Sequence, residues 1–200
     1  MITAIGWLGG ATATFMLIPQ LVALLRTGDT KGMAWPMWVA FIGVTLGWIS
    51  HGIHLGQGFI IVANAVSAVV TAVSLYYLHK AGKLPSLWLI PLGLAFAGLL
   101  VYLDWGVSSA AFGATVVTPV AIVKLHQGVR IMREREVTGV SVGSWVLQLS
   151  NEIIWGTWAI MILDPGTIIS AVVTGTCNAF VLVWLLLRRH GVGPVWPART

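Results

Sequence analysis

Charged side chains are scarce in this chain of 200 residues, where Asp, Glu, Lys and Arg together make up 8%. An ordinary soluble domain has roughly 25%. Hydrophobic residues make up 58% of the chain, so there is too little polar surface to coat a globule in water. The composition excludes a soluble domain and indicates a membrane protein, with the lipid bilayer as its solvent.

Other scarce residue types exclude further classes of protein. The single cysteine, Cys177, lies inside the last apolar stretch, so an intrachain disulfide cannot form. The same stretch has no lysine, which excludes a retinal protein with a Schiff base. With no glycine-rich phosphate loop and no plausible pair of nucleophile and base, we expect neither an enzyme nor a cofactor. Basic residues are missing before the first apolar stretch, so no cleavable signal peptide is expected.

Seven apolar stretches are each long enough for a membrane-spanning helix, which needs roughly 20 mostly apolar residues. They do not alternate polar and apolar residues as barrel strands do. Lipid tolerates only spans whose backbone hydrogen bonds close internally, so these stretches are predicted to be helices. The predicted spans are about 4–25, 34–55, 58–79, 84–103, 106–126, 139–162 and 165–187.

The first three and the last three stretches share a pattern of landmark residues. Proline lies near the end of the first and fifth stretches, at Pro19 and Pro119. Three further landmarks recur with identical spacing, namely Gly32, Trp38 and Trp48 and then Gly139, Trp145 and Trp155. Such a tandem repeat is typical of transporters, whose substrate site lies between two similar halves. We predict an all-α fold of seven transmembrane helices, with two parallel triple-helix bundles, 1–82 and 105–200, joined by a linker helix, 83–104.

The eleven lysines and arginines fall in the first, third and fifth loops or in the C-terminal tail. Lys124 is assigned to the fifth loop, whereas the other loops contain only Asp104 and Asp164 as charges. The positive-inside bias therefore places the N-terminus outside and the C-terminus in the cytoplasm, in a multi-pass protein of the plasma (inner) membrane. The net charge of +5 is explained by attraction to anionic inner-leaflet lipid, so no nucleic-acid partner is expected.

Motifs of the first half carry a resemblance to a known family. They are Pro19-Gln20 with Leu21 after it, the loop 26–32, Gly47-Trp48, and Ala63-Asn64 sixteen residues after that tryptophan. With the layout of spans, they make the chain similar to a full-length, seven-helix, prokaryotic member of the SWEET, SemiSWEET and PQ-loop transporter family. The resemblance implies alternating access by two triple-helix bundles around a central solute site, usually for sugars. The second half departs from the pattern: Val120 replaces the glutamine, Ala171 replaces the asparagine, and Asn178 lies two turns deeper.

Trp48 and Asn64 are the main candidates for solute binding. The helix rise of 1.5 Å per residue puts them at a similar depth in neighbouring helices, roughly 10 Å from the outer surface. An aromatic face and an amide suit a sugar ring, which has apolar faces and hydroxyl edges. Trp155 is the repeat equivalent of Trp48, and we expect all three to line one central cavity, with packing or an interfacial belt as the alternative. The belt or surface is expected for Trp7, Trp35, Trp38, Trp88, Trp105, Trp145, Trp184 and Trp196.

Glu152 is the only acidic residue within a predicted span, and it lies roughly 15 Å from the outer end of its helix, near the bilayer midplane. Gln148, Asn151 and Trp155 share its helix face, so all four are expected to face the bundle interior. An intramembrane carboxylate is costly to bury and indicates function. The alternative is a protonated carboxyl hydrogen-bonded to Gln148 or to a nearby threonine.

Two further features concern prolines and histidines. Pro19 with Gln20, and Pro119, are expected to act as hinges, because each proline removes a backbone donor near the cytoplasmic end of its span. His51 and His54 form a helical pair for which no acidic or cysteine partner is expected, so polar packing is expected and no metal site.

These features predict a transporter that moves a small polar solute, with a sugar favoured, by facilitated diffusion. The predicted binding residues are Trp48, Asn64, Trp155, Asn178, Glu152, Gln148 and Asn151. The runner-up is a proton-coupled carrier of amino acids or another cationic metabolite that uses Glu152. A nontransporting membrane receptor or scaffold ranks last because it does not explain the polar residues at the midplane. The expected partners are the solute and the lipid bilayer, and homo-oligomerisation is left open.

Overall fold

The fold is described by a computed structural model for residues 1–31, 33–134, 136–137 and 139–195. Within these residues the seven α-helices are α1 (Ile2–Thr27), α2 (Trp35–His54), α3 (Gly58–Lys80), α4 (Ile90–Gly106), α5 (Ser109–Arg133), α6 (Val142–Ile162) and α7 (Pro165–Arg189). One turn of 3₁₀ helix, Leu87–Leu89, precedes α4. Gly32 and Trp196, which the sequence analysis names, lie outside the described residues, as do Arg135 and Arg199 among the eleven cations.

The helices make the chain a multi-pass membrane protein. Six of the described helices are long and apolar enough to cross a membrane, and α4 reaches this length with its preceding turn, as Leu87–Gly106. The remaining helix, α6, has 21 residues, but Gln148, Asn151 and Glu152 make it more polar. The predicted all-helical class is therefore confirmed. Its arrangement as three helices, a linker and three helices stays a prediction.

Local caps set the ends of the helices. Ser108 accepts a hydrogen bond from the backbone N–H of Ala111 at the start of α5, and Asp164 accepts one from the backbone N–H of Thr167 at the start of α7. Gly28 ends α1 in the left-handed conformation, with a φ of 64°, which glycine adopts without strain. The connections between these helix ends are short, and consecutive helices therefore run in opposite directions.

Two sets of three helices pack in the same order. In the first set α3 contacts both α1 and α2, and in the second α7 contacts both α5 and α6. The sets meet where α1 contacts α6 and α2 contacts α5, and α4 packs against α2 and α5. Glycines allow the closest crossings, because a Cβ at Gly93 would collide with the carbonyl of Val39, and one at Gly113 with the backbone of Gly166. Small residues commonly let membrane helices approach in this way.

Trp38 and Trp145 are buried, so the expectation of a belt or surface position was wrong for both. Their exposed fractions are 5% and 9%. Trp38 packs in a cluster with Leu78 of α3, and Trp145 packs in a cluster with Val181 of α7. Each indole lies on the helix face that meets the third helix of its own set, which buries it. Three others are exposed, namely Trp7, Trp88 and Trp105.

Several charged residues assigned to loops lie inside helices, which corrects the sequence analysis, and Lys124 and Asp104 are the ones that bear on the interior of the bundle. Lys124 lies within α5, although the sequence analysis assigned it to the fifth loop, and the helix continues past the predicted end of the span to Arg133. Asp104 lies within α4 and is buried, and Asp164 is a buried cap before α7. The prediction failed because hydropathy marks where a stretch becomes polar, whereas a helix ends where its backbone hydrogen bonds stop.

Candidate functional site

A cavity of about 190 Å³ lies between the two sets of helices. Its walls come from α1, α2 and α3 on one side and from α5, α6 and α7 on the other. The aromatic and polar parts of this wall include Trp48, Asn64, Ser67, Asn151, Glu152, Trp155 and Thr174. This space is called the central cavity. Because both sets contribute to its wall, a movement of one set against the other changes its shape.

Trp48 and Trp155 are the aromatic walls of the central cavity. Phe112 of α5 packs edge-on against Trp48, with ring centroids 5.1 Å apart, and Trp158 packs edge-on against Trp155 at 5.8 Å. These contacts hold both indoles in place. The structure thus brings two repeat-equivalent tryptophans to one space. Their role in solute binding stays a prediction.

Asn64 presents a free acceptor to the central cavity. Its Nδ2 donates to the carbonyl of Ile60 at 2.9 Å, which orients the amide. Its Oδ1 receives no hydrogen bond from the described residues. Ser67 donates its hydroxyl to the carbonyl of Ala63 at 3.1 Å, so its lone pairs also remain for a ligand. Together, Asn64 and Ser67 offer acceptors for hydroxyl groups.

Asn151 links the two sets of helices beside the central cavity. Its Nδ2 donates to the carbonyl of Gly9 at 3.0 Å and to Oγ1 of Thr12 at 2.6 Å. The residue is 6% exposed. Both donors of the amide are therefore used to hold α6 against α1. Its predicted contribution to solute binding rests on the remaining carbonyl oxygen.

Lys124 belongs to this region, and sequence reasoning missed it. Its ammonium donates to Oε1 of Gln148 at 2.9 Å and to Oδ1 of Asn178 at 2.6 Å, and it lies 5.5 Å from the centre of the Trp145 ring. Of the predicted binding residues, Gln148 and Asn178 thus contact the lysine and are not in the described cavity wall. One signal was available, since Lys124 falls inside the predicted span 106–126, and a lysine within a span indicates function.

Glu152 lines the central cavity, and the groups that face its carboxyl are Thr174 of α7 and Lys124 of α5. Gln148, a partner considered from the sequence, is bonded to Lys124 instead. A lysine that faces a glutamate within the membrane compensates its charge and reduces the cost of keeping both groups there. The carboxyl is therefore not an isolated acid.

The predicted hinge residues lie away from the central cavity. α1 and α5 continue through Pro19 and Pro119. Pro19 and Gln20 are exposed, and Pro119 is half-buried. Each proline leaves one carbonyl without its usual helical donor, which weakens the helix locally. A hinge function for these residues stays a prediction.

A buried polar cluster lies at the end of the bundle where α2 and α4 finish and α7 begins. His51 is fully buried, with its Nδ1 2.9 Å from Oδ1 of Asp104 and its Nε2 3.0 Å from Oδ2 of Asp164. Carboxylates only accept hydrogen bonds, so both ring nitrogens donate in this arrangement. The aspartates are 53 and 113 residues away in the chain. The expectation of a histidine pair without acidic partners is therefore wrong, because no local pattern could have identified the two aspartates.

Asp164 has the most hydrogen bonds in this cluster. Besides His51, the donors are the hydroxyl of Ser109 at 2.5 Å and the backbone N–H of Thr167 at 2.8 Å. Burial raises the pKa of the Asp164 carboxyl, but the hydrogen bonds from His51, Ser109 and Thr167 outweigh this effect and hold the pKa well below its usual range. The carboxylate therefore stays ionised and fixes the start of α7 against α2 and α5.

Comparison with known proteins gives a partial likeness to a sugar transporter. No protein-family model matches the chain. The "Sugar transporter SemiSWEET" of Escherichia coli (strain UMEA 3162-1) is 30% identical to it over 59 residues. The matched segment covers 30% of this chain and 66% of that protein, which is just under two thirds of the relative.

Proposed function

We propose that the protein is a membrane transporter for a small polar solute, with a sugar as the favoured substrate. The observation that carries the proposal is the central cavity, whose aromatic walls, Trp48 and Trp155, come from both sets of helices. A sugar ring packs its apolar faces on indoles, and its hydroxyls need partners such as Asn64 and Glu152. The likeness to a SemiSWEET sugar transporter supports the same substrate class.

Alternating access by two triple-helix bundles is the proposed mechanism. The bundles are residues 1–82 and 105–200, joined by a linker at 83–104, and the equal packing order of the two sets of helices supports this division. Rocking of one bundle against the other opens the central cavity to each side of the membrane in turn. Pro19 and Pro119 are the proposed flexible points. The basic loops support a cytoplasmic C-terminus.

Each polar residue has a proposed part in this mechanism. Asn64 and Glu152 accept hydrogen bonds from solute hydroxyls, and Asn151 offers its remaining carbonyl oxygen. Gln148 and Asn178 act indirectly, because they position Lys124. Since Lys124 compensates the charge of Glu152, a neutral solute needs no accompanying cation. Flux therefore follows the solute gradient, as facilitated diffusion.

A proton-coupled carrier of amino acids or another cationic metabolite is the second candidate. The observation that favours it is Glu152, a carboxyl that lines the cavity of a membrane protein. Lys124 argues against it, because a facing ammonium disfavours a second cation beside the same carboxyl. The two candidates differ in whether a pH gradient drives uptake.

Uptake into liposomes that contain the purified protein tests the proposal. A panel of labelled sugars and amino acids is offered with and without a pH gradient. We expect sugar exchange that no gradient drives, and we expect Trp155→Ala to abolish it by removing one aromatic wall. Trp88→Ala is the matched control, since Trp88 is 86% exposed.

Three outcomes distinguish a sugar facilitator, a proton-coupled carrier and a nontransporting receptor or scaffold. Sugar exchange that the Trp155→Ala variant loses and the Trp88→Ala variant keeps supports the proposal. Accumulation of an amino acid driven by the pH gradient replaces it with the coupled carrier. No uptake of any solute by a folded protein favours a receptor or scaffold.

A further inference from the structure

Two histidines and an aspartate converge at the end of α2. His51 and His54 are three residues apart on one face of the helix, and Asp104 reaches them from α4. Their nearest ligand atoms all lie within 4.8 Å of one another. Imidazole nitrogen and carboxylate oxygen bind zinc at about 2.0–2.2 Å. Closing this spacing around one ion requires a rotation of the His54 side chain, which is 39% exposed and stacks on Trp105.

Asp104 has an oxygen that the surrounding residues do not satisfy. Its side chain is 0% exposed. His51 contacts Oδ1, whereas Oδ2 receives no aligned hydrogen bond from the described residues, although Nδ1 of His54 lies 3.2 Å away. A buried carboxylate oxygen without a donor is costly. A cation between Asp104 and the two imidazoles removes this cost.

The charges of the cluster also favour a cation. Two carboxylates, Asp104 and Asp164, flank the one buried imidazole of His51. Among the described residues, neither carboxylate forms an ion pair with lysine or arginine. A bound cation lowers the electrostatic free energy of buried carboxylates.

Asp164 orients His51 in the manner found around protein-bound zinc. A metal-bound histidine commonly donates its other ring N–H to a carboxylate, which fixes the tautomer and the ring orientation. Here Nε2 of His51 lies 3.0 Å from Asp164, and Ser109 and Thr167 hold that carboxylate in turn. Nδ1 of His51 is then the nitrogen that gives up its proton and binds the ion.

We propose that His51, His54 and Asp104 bind one divalent transition-metal ion of the zinc class, with water as the fourth ligand. Ca²⁺ and Mg²⁺ are disfavoured because they require mainly oxygen ligands. The ion enters past His54, whose side chain is 39% exposed. It joins α2 to α4 and, through Asp164, restrains the start of α7. Binding therefore holds this end of the bundle closed.

Metal binding is tested on the purified full chain in detergent micelles. Zn²⁺ titration by calorimetry should give one ion per chain and should raise the melting temperature. His54→Gln should weaken binding at least tenfold, and Asp164→Asn should weaken it about 10–100-fold, as expected for a carboxylate that orients a ligand. His126→Gln is the matched control, because His126 is exposed on another helix, and its affinity should be unchanged.

Co²⁺ gives a second measurement that needs no variant. Bound Co²⁺ should show the visible absorption of a four-coordinate nitrogen and oxygen site, and Zn²⁺ should displace it. Binding that is unchanged in the His54 variant, equal stabilisation by Mg²⁺, or no Co²⁺ absorption overturns the proposal.

The effect of the ion on flux rests on the proposed transport function. External Zn²⁺ should slow sugar exchange by the wild type and leave exchange by the His54→Gln variant unaffected. If Zn²⁺ binds but no solute is transported, the transport proposal fails and the metal site stands. If sugar is exchanged but Zn²⁺ does not bind, the metal site alone is wrong.

Discussion

Replacing Lys124 with methionine tests whether one cation holds α5, α6 and α7 together. Methionine keeps the apolar stem of the side chain but removes the ammonium that donates to Gln148 at 2.9 Å and to Asn178 at 2.6 Å. It also leaves the carboxyl of Glu152 without the positive charge that faces it. We expect a large loss of stability.

The size of the loss follows from these contacts. A hydrogen bond to a charged group contributes about 1.5–3 kcal/mol, so the two bonds of Lys124 contribute roughly 3–6 kcal/mol. Because Lys124 is only half-buried, we take the lower part of this range, about 4 kcal/mol. At roughly 2–4 °C per kcal/mol for a chain of this length, the melting temperature should fall by about 8–16 °C.

Thermal unfolding in detergent micelles measures this loss through tryptophan fluorescence. The double variant Lys124→Met with Glu152→Gln should recover about 1–3 kcal/mol of it, because the carboxylate is then no longer left uncompensated. Lys80→Met is the matched control at the exposed end of α3, and it should change stability by less than about 0.5 kcal/mol. Equal melting temperatures for the two single lysine variants, or strict additivity in the double variant, would refute the reasoning.

Three further predictions concern transport and the contact between the bundles. Glu152→Gln should spare downhill sugar exchange, whereas a coupled carrier would lose uptake driven by the membrane potential, which supplies about 2.3 kcal/mol per charge per 100 mV. Pro19→Ala and Pro119→Ala should slow exchange in liposomes more than they weaken solute binding, and unchanged exchange in both excludes the hinges. Asn151→Ala should lower stability by about 1–3 kcal/mol through two lost hydrogen bonds, and an unchanged melting temperature contradicts that estimate.

Hydropathy alone determined the class of this protein and the number of its helices. A span is a local property, since about 20 apolar residues in a row must close their hydrogen bonds within one helix in lipid. The predicted helix ends differ from the observed ones: α5 extends to Arg133, because a helix continues as long as its backbone hydrogen bonds do. The repeat spacing also marked Trp48 and Trp155, which line one cavity.

Tertiary structure alone decided which polar groups meet. Lys124 bonds to Asn178, which is 54 residues away, and His51 meets Asp104 and Asp164 across 53 and 113 residues. Each of these side chains is read from the sequence as an isolated polar residue, either in a loop or on a helix face. Their partners follow from which helices pack together and how each is rotated about its axis. The rotation of each helix depends on how whole helix surfaces fit together, as where Gly113 packs against Gly166. It therefore cannot be predicted from any single stretch of the sequence.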